Sequence, residues 1–157
     1  MARSSVMVTM DIAMVETDNT ANQRGVTDCT AKLNQLQDRI DTLGAKKAIL
    51  DSTYSIYDNL NTYISTHLDS LDETSVCIAE IKTEAKGQIS EKIGGALKML
   101  GILIGNLESA ISTANTEYST TYGQLQTYKT NLANGQQRLG TLETELEQAK
   151  AAELPVM

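Results

Sequence analysis

The chain contains no phenylalanine and no tryptophan, and its aromatic side chains are six tyrosines and the single histidine, His67. Compact cores lean on large aromatics that bury roughly 150–250 Å² each, so an aromatic-centred globule is excluded. Only one proline is present, Pro155, so the rest of the chain is free of the residue that most strongly breaks a helix. With one histidine there can be no His-rich metal site, and His67 beside Leu68 on a helical stretch lacks the oriented pocket that general-base catalysis needs. The two cysteines, Cys29 and Cys77, have no close ligand set. On one continuous helix they would stand about 72 Å apart, far beyond the ~7 Å reach of a disulfide. Free thiols without a disulfide framework fit a reducing cytoplasm. The glycines match neither a dinucleotide fingerprint nor a phosphate loop, and acidic pairs such as Asp38 with Asp41 lack the histidine of a di-metal bundle. No catalytic residue, metal ligand or cofactor is assigned, and an enzyme is not expected.

Positive charge is also scarce. There are 13 Lys and Arg against 20 Asp and Glu, a formal charge of −7, and the first 24 residues hold only Arg3 and Arg24 as basic groups. Neutralising phosphates needs clustered cations, so nucleic acid is excluded as a partner and an anionic membrane is disfavoured. The acidity instead keeps an apolar seam soluble. No apolar run is long: residues 93–107 carry Lys98 and four glycines and fall short of the ~20 residues a membrane span needs. Near the N-terminus Asp11 interrupts a short apolar patch and Glu16 closes it, so no signal peptide is expected. The reading is a cytoplasmic chain before any export, with secretion or a surface location left open.

What the chain does have is a seven-residue apolar repeat, present twice. In the first run the d positions are Cys29, Leu36, Leu43, Leu50, Tyr57, Ile64, Leu71 and Ile78. The a positions between them are Leu33, Ile40, Lys47, Tyr54, Asn61, Leu68 and Ser75. In the second run the a positions are Leu97, Ile104, Ile111, Tyr118, Leu125, Leu132, Leu139 and Leu146; the d positions include Leu100, Leu107, Ala114, Thr121, Tyr128, Gly135 and Leu142. A helix shows one stripe to a partner when apolar residues recur every 3.5 positions. The predicted fold is therefore all-α, an elongated antiparallel hairpin or coiled coil of two long helices, with or without a short middle helix near the turn. The same seam would also serve a parallel dimer of straight rods.

Residues 1–27 show no sustained period and read as a mobile arm or short helix, with Thr27 or Asp28 capping the helix that follows. Residues 28–152 form the hairpin and 153–157 a tail. Gly87 and the pair Gly94–Gly95 supply the expected turn, near residues 87–95, because paired glycines weaken a helix and permit turn conformations. A turn at 72–77 would leave unequal arms. Gly101 and Gly105 form a GxxxG element, read as tight packing near the hairpin tip, with a bilayer-inserting tip as the sharper alternative. The Asn134–Gly135 region is a soft point where the seam thins.

The seam residues Leu36, Leu43, Leu50, Tyr54, Tyr57, Tyr118, Leu125, Leu132 and Leu139 are the candidate partner-binding surface. Lys47 and Asn61 are its register-setting polar positions, since a misaligned partner would bury them unpaired. Tyr63 and Tyr122 fall off the a/d stripe and hint at a third helix.

The arms LNQLQDRIDTLGAKKAIL and LQTYKTNLANGQQRLGTLETELEQAK, flanking EIKTEAKGQISEKIGGALKML, resemble the small helical helper proteins of type VII secretion. These are the WXG-type proteins and the coiled-coil partners of toxins with an LXG domain. The likeness spans roughly residues 28–152. Ile93–Gly94–Gly95 stands where that family has Trp-x-Gly, and the one Tyr-x-x-x-Asp/Glu match, Tyr54 to Asp58, lies inside the first helix rather than after the second. The resemblance implies an adaptor or chaperone that binds the N-terminal helical domain of a secreted toxin and presents it to the secretion machine. The chain's partner is thus another helical protein, or itself if the rods self-assemble as a phage or appendage subunit; a membrane-active hairpin is the third reading.

Overall fold

A computed structural model describes residues 3–71 and 75–153. Among them are two helices, α1 (Ser5–Asp69) and α2 (Val76–Glu153), packed against each other as a helical hairpin. The predicted all-α hairpin is what the chain forms, and no separate middle helix occurs among the described residues.

Two expectations are corrected. The first concerns residues 5–27, which open α1 rather than forming an arm. The heptad extends back through Val26, Asn22, Asn19, Val15, Ile12 and Val8. Val8 and Val15 are buried in a cluster with Leu142, to which Ile12, Leu139 and Leu146 add. The period is masked in the sequence because Asn19 and Asn22 occupy two seam positions. Nor is Thr27 a cap: its Oγ1 donates to the Gln23 carbonyl one turn back at 3.1 Å. Thr9, Thr17, Thr20 and Thr30 bond back in the same way, which satisfies a β-branched residue inside a helix. The N-terminal cap is Ser4, whose Oγ accepts from Met7 N at 3.4 Å.

The second correction concerns the turn. Gly87, Gly94 and Gly95 lie inside α2, and no glycine takes a positive φ. The helices are instead joined through residues 70–75, of which 72–74 lie outside the described residues. The objection to a turn there was unequal arms. It disappears once residues 5–27 are helical, because helices of 65 and 78 residues can pair along most of their length. The C-terminal tail also lies outside the described residues, beyond Glu153.

The hairpin comprises two compact units, residues 1–37 with 116–157 and residues 38–115. In unit 1, Cys29, Leu33 and Leu125 form a second buried cluster, with Val26 and Tyr118 against it. Here α2 also caps α1: Glu153 accepts from Ser5 N at 2.9 Å and from Ser5 Oγ at 2.7 Å. That supplies the carboxylate which α1 lacks in its own first turn. In unit 2, Lys82 donates to the carbonyl of Asp69, the last residue of α1, at 3.3 Å, while Lys86 pairs with the Asp69 carboxylate. Cations there suit the negative end of a helix.

Hydrogen bonds from Ser5 hold the Glu153 carboxyl below its ordinary value of 4.5. The hydrogen bond and charge of Lys86 hold Asp69 below 3.8. A depressed carboxyl stabilises the fold above its unfolded value, and that contribution is lost as pH falls through the folded value. The thermal midpoint is therefore expected to drop on acidification from about pH 5 to about pH 3. Glu153→Gln should flatten part of that drop, measured by helicity at each pH.

Candidate helix-binding face

Most of the predicted partner-binding residues are used by the hairpin itself. Leu36 and Leu125 are buried and Tyr118, Leu132 and Leu139 half-buried in unit 1. In unit 2, Leu43 and Leu50 are half-buried, while Tyr54 and Tyr57 are 37% and 39% exposed. Of the two register positions, Asn61 is half-buried. Lys47 reaches Asp51 on its own helix at 2.8 Å and Glu108 on α2 at 3.2 Å. Both acceptors raise its pKa, so the amine stays charged at its seam position. Its contact with Glu108 is a cross-helix ion pair.

Unit 1 holds a polar layer where the seam was expected only to thin. Asn19 packs its amide where a Cβ on Gly135 would stand. Its Oδ1 is buried without a hydrogen-bond partner. Asp18, Asn22, Asn131, Asn134 and Arg138 line the surrounding cleft of about 450 Å³. Gly25 makes the other close approach, its Cβ position 2.7 Å from the Tyr128 ring. By contrast, a Cβ at Gly101 or Gly105 would meet nothing within 4 Å, so the GxxxG element packs no helix closely within this chain.

Unit 2 is built differently. Its seam leucines and isoleucines are half-buried, or exposed at Leu71 and Ile78, and Ala114 is its one buried apolar residue among those described. A second apolar stripe runs beside the seam. Ile49, Ile56 and Tyr63 recur every seven residues on α1 and are 66%, 64% and 61% exposed; Leu60 between them is 43% exposed. On α2, Met99 and Leu103 are 67% and 47% exposed. The two helices meet here in a groove of about 430 Å³ lined by Lys46, Ile49, Leu50, Leu103, Asn106 and Leu107. In an antiparallel pair the residues flanking the seam on one side come from the same heptad positions of both helices. That is why Lys46 with Ile49 and Leu103 with Asn106 line one groove. Tyr63 further stacks against His67, ring centres 4.0 Å apart.

Of this face, the sequence alone points to Tyr63 in the exposed stripe and to Leu50 in the groove lining. The seven-residue spacing of Ile49, Ile56 and Tyr63 is present in the sequence, but the a/d stripe beside it is the stronger signal. Tyr122, the other off-stripe tyrosine, is 50% exposed in unit 1.

Among the described residues no cluster of His, Cys, Asp and Glu is placed to hold a metal ion, and no helix is long and apolar enough to cross a membrane. Comparison with known proteins gives no matching family model, no similar curated protein and no similar solved structure.

Proposed function

We propose that the protein is a non-catalytic interaction protein that holds a helix of another protein on the open apolar face of unit 2. The observation that carries this reading is the exposed stripe of Ile49, Ile56, Leu60 and Tyr63 beside Met99 and Leu103. At about 200 Å² for a fully exposed large side chain, their exposed fractions amount to about 700 Å², close to the ~800 Å² per partner of a standard interface. Monomers seldom leave an apolar patch of that size uncovered. A groove between two helices receives the apolar face of a third by the same packing that joins the first two.

In its finer form the protein is an adaptor or chaperone that presents the helical domain of a secreted toxin to a type VII secretion system. The support for this is the architectural likeness of the two arms to such helpers, together with the hairpin. The tagged chain, purified from its native cells, is expected to carry a helical client in stoichiometric amount. Ile56→Asp with Leu103→Asp should lose the client while keeping full helicity, since both side chains face solvent. Unchanged client recovery by the double variant would overturn the proposal, and unimpaired toxin export without the protein would remove the secretion role.

A second reading, a self-assembling subunit, draws on unit 1. There Val6, Met7, Met10 and Met14 are 67%, 55%, 68% and 55% exposed. Large assemblies in light scattering of the purified chain would favour it.

A further inference from the structure

Charge is segregated around unit 2. The two heptad positions that form the open face can be read from residue 39 to 67 on α1 and from 92 to 106 on α2. They contain three fixed cations, Arg39, Lys46 and Lys92, and no carboxylate. Lys46 borders the groove itself. Lys92, Met99 and Asn106 follow at intervals of seven on α2, and Arg39 precedes Lys46 by seven on α1. The acids lie off these positions: Glu91 stands 3.9 Å from Lys92, both of them largely exposed, and Lys47 gathers Asp51 and Glu108 on the opposite flank of the seam. A chain of net charge −7 thus leaves the broad apolar face of unit 2 bordered by positive charge.

We infer that the occupant of this face is an amphipathic helix of another protein whose apolar stripe is flanked by Asp or Glu; this rests on the helix-docking reading above. Complementary charges at the rim of an apolar contact set which partner docks and how fast. The same rim argues against the two other occupants of such a face. A second copy of the chain would set Lys46 against the partner's Lys46 in a parallel arrangement, or toward its Lys92 end in an antiparallel one. Either way cation meets cation at the edge of the contact. An anionic bilayer would meet three cations on an otherwise acidic molecule, and a concave groove fits a convex helix better than a flat surface.

The test uses two fluorescein-labelled synthetic helices of about 21 residues, three heptads, with leucine at every a and d position. One carries glutamate at e and g, the other lysine. In fluorescence anisotropy at low ionic strength, the glutamate helix is expected to bind the full chain at least about tenfold more tightly, an advantage that shrinks as salt rises. Lys46→Glu with Lys92→Glu should reverse the preference without changing helicity. Equal binding of the two helices would overturn the charge inference and leave helix docking standing. Binding of neither would remove the docking reading as well. Self-association of the free chain through this face at the same concentrations would give the face to a second copy. Retention on phosphatidylglycerol vesicles exceeding capture of the glutamate helix would give it to a bilayer. Either result would overturn the inference.

Discussion

Val15→Asp is expected to destabilise the hairpin by about 4 kcal/mol or more, the range reserved for an unpaired charge forced into an apolar site. Val15 is 3% exposed and packs with Val8 and Leu142, flanked by Ile12, Leu139 and Leu146. A carboxylate there has no cation partner in the cluster, so it must protonate, push the helices apart or turn out of the cluster toward the adjoining cleft that Val15 shares with Arg138. Separation would also release the leucines of α2 that face it. Urea unfolding followed at 222 nm measures the loss, and Met14→Asp is the control, because Met14 is 55% exposed and should shift the midpoint little. A mobile arm would tolerate both substitutions equally, so equal midpoints would overturn the assignment of residues 5–27 to the hairpin.

Replacing Gly87, Gly94, Gly95, Gly101 and Gly105 together by alanine is expected to stabilise the protein by about 4 kcal/mol, at roughly 0.8–1 kcal/mol for each glycine in a helix interior. For a chain of this size that is a rise of about 10 °C in the thermal midpoint. The gain follows from two facts. None of the five has a positive φ, so alanine adopts the same backbone without strain, and a Cβ at each meets nothing within 4 Å. Alanine then removes conformational freedom from the unfolded chain at no cost to the folded one. Were these glycines the turn, the same substitutions would weaken the hairpin, so scanning calorimetry decides between the two placements by the sign of the shift. Gly25 and Gly135 are left out deliberately. Their Cβ positions are taken by the Tyr128 ring and the Asn19 amide, and there the same exchange forces a neighbour to move.

The glycines show why local propensity misplaces the turn. Helix propensity is a local quantity, and Gly94–Gly95 is the locally weakest point of the chain. A turn placed there also matched arm lengths counted from residue 28. The join at residues 70–75 carries a weaker local mark, the polar run from Asp72 to Ser75 after which the apolar spacing leaves the heptad. It is selected by the pairing of α1 with α2, in which Lys82 and Lys86 reach Asp69 and Glu153 reaches Ser5. Asn19 and Asn22 misled in a similar way. As isolated residues they interrupt a heptad, yet opposite Asn131, Asn134 and Gly135 they form one polar layer.

The sequence by itself determined that this chain is two long helices with one seam each. A seven-residue apolar period that recurs in two long runs without proline admits little else, and the period is a property of each helix alone. Only the tertiary structure decided where the chain reverses, how far α1 extends toward the N-terminus and which apolar residues remain exposed. Each of these depends on which residue of one helix lies opposite which residue of the other. The a/d leucines that sequence alone offers as a binding surface are spent on closing the hairpin. What stays exposed is the flanking stripe of Ile49, Ile56, Tyr63, Met99 and Leu103, because two helices can cover only the facing side of each other.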